Sequence, residues 1–169
     1  MIEDNVNRQI VDVAQGLGED LQAQGWVATT AESCTGGGVS MAITEVAGSS
    51  AWFDRAFITY SNEAKMEMLG VTEQALIDQG AVSELVVTQM AQGALAHSAA
   101  QISVAISGIA GPSGGTETKP VGTVCFGWAD TTGWYCTNTQ IFTGDRAQVR
   151  EQAVLFALQG MRDRLLSLG

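Results

Sequence analysis

The chain is poor in cations and nearly without histidine. Eight lysines and arginines stand against 18 aspartates and glutamates, a formal net charge of −10 over 169 residues. An acidic surface repels phosphodiester backbones and argues against nucleic acid as a partner. A small anionic ligand is still compatible, because a helix N-terminus or a few of the eight cations can meet its charge locally. His97, the single histidine, falls among alanines near the end of an expected helix, a common place for a structural histidine. A histidine-rich metal site cannot be built from one residue, and a Ser-His-Asp triad would have to run through it. Cys34, Cys125 and Cys136 are an odd number without CxxC spacing, so neither a disulfide framework nor a zinc site is suggested. No apolar run approaches the ~18 residues of a membrane span. The acidic start Met1-Ile2-Glu3-Asp4 lacks a signal-peptide pattern. A reduced, cytoplasmic protein with no membrane partner is the expectation.

What is present reads as globular. Hydrophobic residues make up 46% and charged residues 15%, and the length suits one domain, 1–169, with a sizeable core. The 20 glycines cluster at 36–38 and 108–115, which points to loop chemistry. Helical spacing runs from Val6 to Leu21, with Gly25 as a stop. Residues 26–31 read as a strand, 36–47 as a helix and 55–60 as a second strand. A short helix follows from Asn62 to Leu69, ended by Gly70, then a turn or two of helix from Thr72 to Gly80. Ser83-Glu84 caps a helix reaching Ala96. Residues 102–107 form a strong strand and 108–120 a Gly/Pro-rich loop. Two β-rich runs, 121–129 and 134–142, flank the hairpin signal Asp130-Thr131-Thr132-Gly133. A long amphipathic helix covers 145–166. This alternation predicts an α/β fold, a three-layer α/β/α sandwich with a mixed, mostly parallel sheet whose antiparallel part comes from the hairpin.

Three segments carry candidate chemistry. Thr30-Ala31-Glu32-Ser33-Cys34-Thr35-Gly36-Gly37 joins a strand to a helix and gathers hydroxyls with free backbone N–H groups. Such a turn can cap a helix, cradle an anion or present a serine nucleophile, and its residue types leave all three open. Tyr60-Ser61-Asn62-Glu63-Ala64-Lys65 places a lysine in the first turn of the short helix, where a cation opposes the helix dipole. A lysine held there by burial loses its ammonium more easily and can accept a serine proton; a solvated lysine paired with Glu63 or Glu67 is the plainer alternative. Tyr60, at the strand end, could relay a proton or orient the pair, with simple packing as the plainer alternative. Ser107-Gly108-Ile109-Ala110-Gly111 follows a strong strand, at the sheet edge where open α/β folds bind ligands. Arg146, at the start of the last helix, is a surface charge or a fork for a phosphate or carboxylate.

Taken in order, these segments resemble a known family. Thr30 to Gly37, Gly48-Ser49-Ser50, Thr59 to Lys65, Gly80-Ala81-Val82-Ser83, Ser107 to Pro112, Lys119 to Val124 and Gly144-Asp145-Arg146 are similar to the CinA C-terminal domain family, in order and spacing, over nearly the whole chain. The resemblance implies a compact α/β/α domain, the stand-alone form of nicotinamide mononucleotide deamidase, and a small nucleotide substrate. It also implies no metal or cofactor and a homodimer or higher assembly. It puts Ser33, Tyr60 and Lys65 in the active site. It gives Thr35, Gly36, Gly37, Asn62, Ser107, Gly108, Ile109, Ala110, Gly111 and Arg146 the holding of the nucleotide, with Glu32 and Ser50 counted among the substrate-binding residues. Ser33 is the expected attacking atom, with Ser49 or Ser50 as substitutes. A non-catalytic pyridine-nucleotide-binding domain of the same fold is the main alternative. Pyrophosphate hydrolysis is disfavoured, because no carboxylate cluster accompanies the Gly-rich loops.

Overall fold

The computed structural model describes residues 2–169. Among them, five strands form one sheet in the order β2-β1-β3-β4-β5. The elements are α1 (Ile2–Gln24), β1 (Ala28–Glu32), α2 (Gly38–Thr44), β2 (Phe53–Ile58), α3 (Asn62–Leu69), α4 (Glu73–Gln79), α5 (Glu84–Ala96), β3 (Ile102–Gly108), β4 (Thr123–Asp130), β5 (Tyr135–Ile141) and α6 (Arg146–Leu168). β1 pairs in parallel with β2 and β3, while β4 pairs antiparallel with β3 and β5. Four strands therefore point one way and β4 the other, the mixed sheet expected from the hairpin.

Burial explains the layers. β1 and β4 are buried along their whole length, whereas β2 and β5, at the sheet edges, alternate with exposed residues. A strand covered on both faces reads as a continuous apolar run. One face packs Leu17, Leu21, Ile43, Phe126 and Leu158 under α1, α2 and α6. The other packs Leu69, Val86, Val87, Met90 and Ala105 under α3 and α5, with α4 at its edge through Ala75. The chain leaves β1 for the first face through α2 and leaves β2 for the second through α3. A crevice opens where neighbouring connections diverge in this way, at the carboxyl ends of the strands.

Several boundaries differ from the sequence expectation, β2 among them at Phe53–Ile58 rather than 55–60, and two have a clear local cause. β1 starts at Ala28 rather than Trp26, because Trp26 N–H donates to Leu21 O at the end of α1 and Val27 N–H to the Gln101 side chain. α2 is shorter than 36–47, because Gly36 and Gly37 take left-handed φ values of 58° and 101° and form the turn itself. Only glycine takes that conformation without strain.

The seat of α3 depends on one close approach. A Cβ on Gly93 of α5 would overlap the carbonyl of Leu69, the last residue of α3. Gly93→Ala is expected to cost about 2–3 kcal/mol by forcing the helices apart. Thermal unfolding should fall by roughly 5–10 °C; an unchanged melting temperature would show that α3 does not rest on this contact.

Candidate active site

α3 begins at a regular cap: the Ser61 hydroxyl accepts the Ala64 N–H at 3.0 Å. Helical side chains lean toward the helix N-terminus. Lys65, in the first turn, therefore reaches back past the cap to the end of β2. It is 1% exposed. Its Nζ lies 2.8 Å from Thr59 O, 3.2 Å from Tyr60 O and 2.9 Å from Ser33 Oγ. Among the described residues no carboxylate pairs with it. Burial lowers its pKa below the ordinary lysine value. A neutral amine has two N–H donors and one lone pair. In that form the two carbonyls can take the donors, which leaves the lone pair for the Ser33 hydroxyl.

Ser33 follows β1 and is nearly buried. Its N–H donates to Ile106 O at 3.0 Å, extending the β1–β3 ladder by one residue, and Thr59 N–H does the same for β2 by donating to Glu32 O at 2.8 Å. Ser33 is thus held between three strand ends. Behind it, Glu32 is fully buried and accepts four hydrogen bonds: Thr35 Oγ1 at 2.8 Å, Val39 N at 2.9 Å, Ser40 N at 3.0 Å and Thr30 Oγ1 at 3.1 Å. A carboxylate from the strand thereby meets the first amides of α2, the role that an N-cap side chain normally fills. From α6, Arg150 donates to Cys34 O at 3.0 Å and to Thr35 O at 3.3 Å. Among the described residues the Cys34 and Thr35 N–H groups have no acceptor. Burial pushes the Cys34 thiol up to about 12, so it stays protonated beside Ser33 at neutral pH.

The rim of the crevice is polar. Arg146 follows the Asp145 cap and its capping box with Gln148. It donates to Gly111 O at 2.8 Å and reaches the Tyr60 hydroxyl at 3.5 Å. Tyr60 is 66% exposed. Asn62 is exposed at the first position of α3, while Ser107, Ala110 and Gly111 are buried and Gly108 and Ile109 half-buried at the end of β3. Ile109 is pinned from both sides, its N–H donating to Thr123 O and its carbonyl accepting from Gly122 N–H, each at 2.8 Å. Among the described residues no three His, Cys, Asp or Glu side chains gather for a metal ion, and no helix is long and apolar enough to cross a membrane.

Residues 11–165 match the family model described as the CinA C-terminal domain. The chain belongs to that family. It is 52% identical over 158 residues to nicotinamide-nucleotide amidohydrolase PncC of Escherichia coli (strain K12), covering 94% of this chain and 96% of that protein. It is 50% identical over 160 residues to the protein of the same name from Pseudomonas putida, covering 95% and 97%. The crystal structure of competence/damage inducible protein CihA from Agrobacterium tumefaciens superimposes with a TM-score of 0.90 at 42% identity, covering 94% of this chain and 96% of that one.

In this CinA C-terminal domain the residues expected from sequence do not all converge. Ser33 and Lys65 meet, and Tyr60, Asn62, Arg146 and the 107–111 loop share the rim. Tyr60 meets the lysine through its backbone carbonyl at 3.2 Å, whereas its phenol turns out to Arg146. Glu32 faces inward with both oxygens occupied by the chain's own donors, so its expected place against substrate is corrected to bracing the turn. Ser50 lies at the opposite end of the sheet. The turn Ser49–Ala51 leads to Trp52, whose carbonyl accepts from Ala28 N–H at the start of β1, while Ser33 follows the end of that strand. Five strand residues at ~3.3 Å each put about 15 Å between them, so neither Ser49 nor Ser50 can stand in for Ser33. Sequence reasoning missed Arg150 and the capping role of Glu32. Glu32, seven residues before Val39, carried only a faint cue, and Arg150, 116 residues from Cys34, none.

The lysine pKa has a stability consequence. Between its lowered folded value and the ordinary value near 10.4, the unfolded chain holds the extra proton. Stability contributed at Lys65 therefore rises with pH across that window, and below it the penalty of a buried ammonium is fully present. Urea unfolding of wild type and Lys65→Met from neutral to alkaline pH should show the difference moving toward wild type as pH rises. A difference independent of pH would mean an ordinary lysine.

Proposed function

We propose that the chain is a nicotinamide-nucleotide amidohydrolase, hydrolysing the carboxamide of nicotinamide mononucleotide to nicotinate mononucleotide and ammonia, with Ser33 as nucleophile and Lys65 as base. The observation that carries the reading is the 2.9 Å approach of a buried, carboxylate-free lysine amine to a serine hydroxyl. The activity in the names of its Escherichia coli and Pseudomonas putida relatives supports the substrate class.

The steps follow from the contacts. Ser33 Oγ attacks the carboxamide carbon as its proton passes to Lys65 Nζ. The Cys34 and Thr35 N–H groups receive the developing oxyanion. Collapse breaks the C–N bond, and the proton on Lys65 goes to the leaving nitrogen to release ammonia. Water then attacks the acyl-serine, giving one proton to Lys65, which returns it to Ser33 as the carboxylic acid departs and ionises, its proton taken up by the released ammonia. Arg146 offers a planar pair of donors suited to the phosphate, beside the 107–111 loop and Asn62. Thr35, Gly36 and Gly37 shape the turn beneath. No metal or cofactor enters these steps. The same reading takes 1–169 as one domain acting in the cytoplasm as a homodimer or higher assembly.

Purified protein with excess chelator should release ammonia from nicotinamide mononucleotide. Ser33→Ala and Lys65→Ala should each lower turnover by on the order of 10³-fold or more with the far-UV spectrum unchanged. Full activity in Ser33→Ala would replace the nucleophile with an activated water. Nucleotide binding without ammonia release by wild type would leave a binding domain.

A further inference from the structure

We infer that Arg150 is a positioning residue for the amide hydrolysis: it holds the 34–35 peptide so that the Thr35 N–H faces the oxyanion. The inference rests on Ser33 being the nucleophile. The guanidinium Nε donates to Cys34 O at 3.0 Å and Nη2 to Thr35 O at 3.3 Å. The 34–35 peptide is trans. In a planar trans peptide the C=O and the following N–H point in opposite directions. A guanidinium on the Cys34 carbonyl therefore turns the Thr35 N–H away from itself.

The turn needs such a restraint. Gly36 and Gly37 follow directly, both with positive φ, and glycine leaves the backbone free to rotate there. Thr35 O has a second donor, Gly38 N–H at 2.9 Å, whereas Cys34 O has none besides Arg150 among the described residues. Gly36 N–H donates to Ser33 O at 3.0 Å and closes the turn, but that bond leaves its central 34–35 peptide free to flip; loss of the guanidinium thus frees the orientation of that peptide while α2 keeps its Glu32 cap. A cation on a peptide carbonyl also polarises the unit and strengthens its N–H as a donor.

Arg150 works from outside the crevice. It lines a cavity of about 660 Å³ between α1, α2 and α6, together with Thr35, Gly38 and Met41. Neither Ser33 nor Lys65 borders this cavity. The guanidinium is therefore open to small solutes from the side away from the lysine.

The test measures kcat, KM, the pH profile and thermal unfolding for Arg150→Ala and Arg150→Lys with nicotinamide mononucleotide. Arg150→Ala should lose about 10²- to 10³-fold in kcat, the scale of one oxyanion donor, with KM nearly unchanged. The acid limb of the profile should keep its position. Guanidinium chloride at sub-denaturing millimolar concentration should restore part of kcat, and equimolar urea or sodium chloride should not. Wild-type kcat in Arg150→Ala overturns the inference, as does a loss carried by KM or one that guanidinium fails to relieve. If Arg150→Ala does not fold, Arg150→Lys decides. A lower kcat at constant KM is expected, because one ammonium cannot reproduce the fork, and a wild-type kcat overturns the inference. An inactive wild type instead sinks the amidohydrolase reading.

Discussion

The site depends on keeping a lysine amine out of water without giving it a carboxylate. An isolated buried ammonium costs several kcal/mol, and an acidic partner would relieve that cost by holding the charge. Among the described residues Lys65 meets only carbonyls and a hydroxyl. Two carbonyls suit the N–H bonds of the neutral amine, and burial favours that form. The packing of α3 on α5 through Gly93, the Ser61 cap and the ends of β1 and β2 all hold this one atom near Ser33.

Around the dyad, two opposite charges brace one turn. Glu32 takes the amides that open α2, and Arg150 takes the carbonyls just before them. Between them, the Cys34 and Thr35 N–H groups are left over. A polar backbone group left unbonded at a crevice is a cost to folding and a resource for binding developing negative charge. The turn keeps its shape because Gly36 N–H donates to Ser33 O and Gly38 N–H to Thr35 O, while the Gly37 N–H, like those of Cys34 and Thr35, has no acceptor among the described residues. The acidic surface and the few cations fit the same economy of design. Lys65, Arg146 and Arg150, three of the eight lysines and arginines, stand at or behind this crevice.

Much of the fold was legible because its signals are local. Ser61, Lys65 and Gly70 mark α3 from cap to stop, and the Asp130 to Gly133 turn marks the β4–β5 hairpin. Lys65 itself was legible as a cation placed against a helix dipole with no local gain. The remainder depended on tertiary geometry. Whether Tyr60 acts by its phenol or its carbonyl depends on which way the chain leaves β2. That Ser50 lies far from Ser33 follows from α2 running the length of β1 before the chain turns back. The Glu32 carboxylate has the same composition cue whether it faces a ligand or the helix behind it. Arg150 reaches the turn only because α6 packs beside α2, a pairing that no local pattern encodes.

The central claim is that Lys65 is the base for Ser33, its amine released from the ordinary lysine range by burial. The most direct measurement is the ¹³Cε and ¹⁵Nζ chemical shift of Lys65 in the free protein, followed by nuclear magnetic resonance as pH is raised and assigned with Lys65→Met. The account predicts a transition below the ordinary lysine range near 10.4. A Lys65 that stays an ammonium until the ordinary lysine range would contradict it.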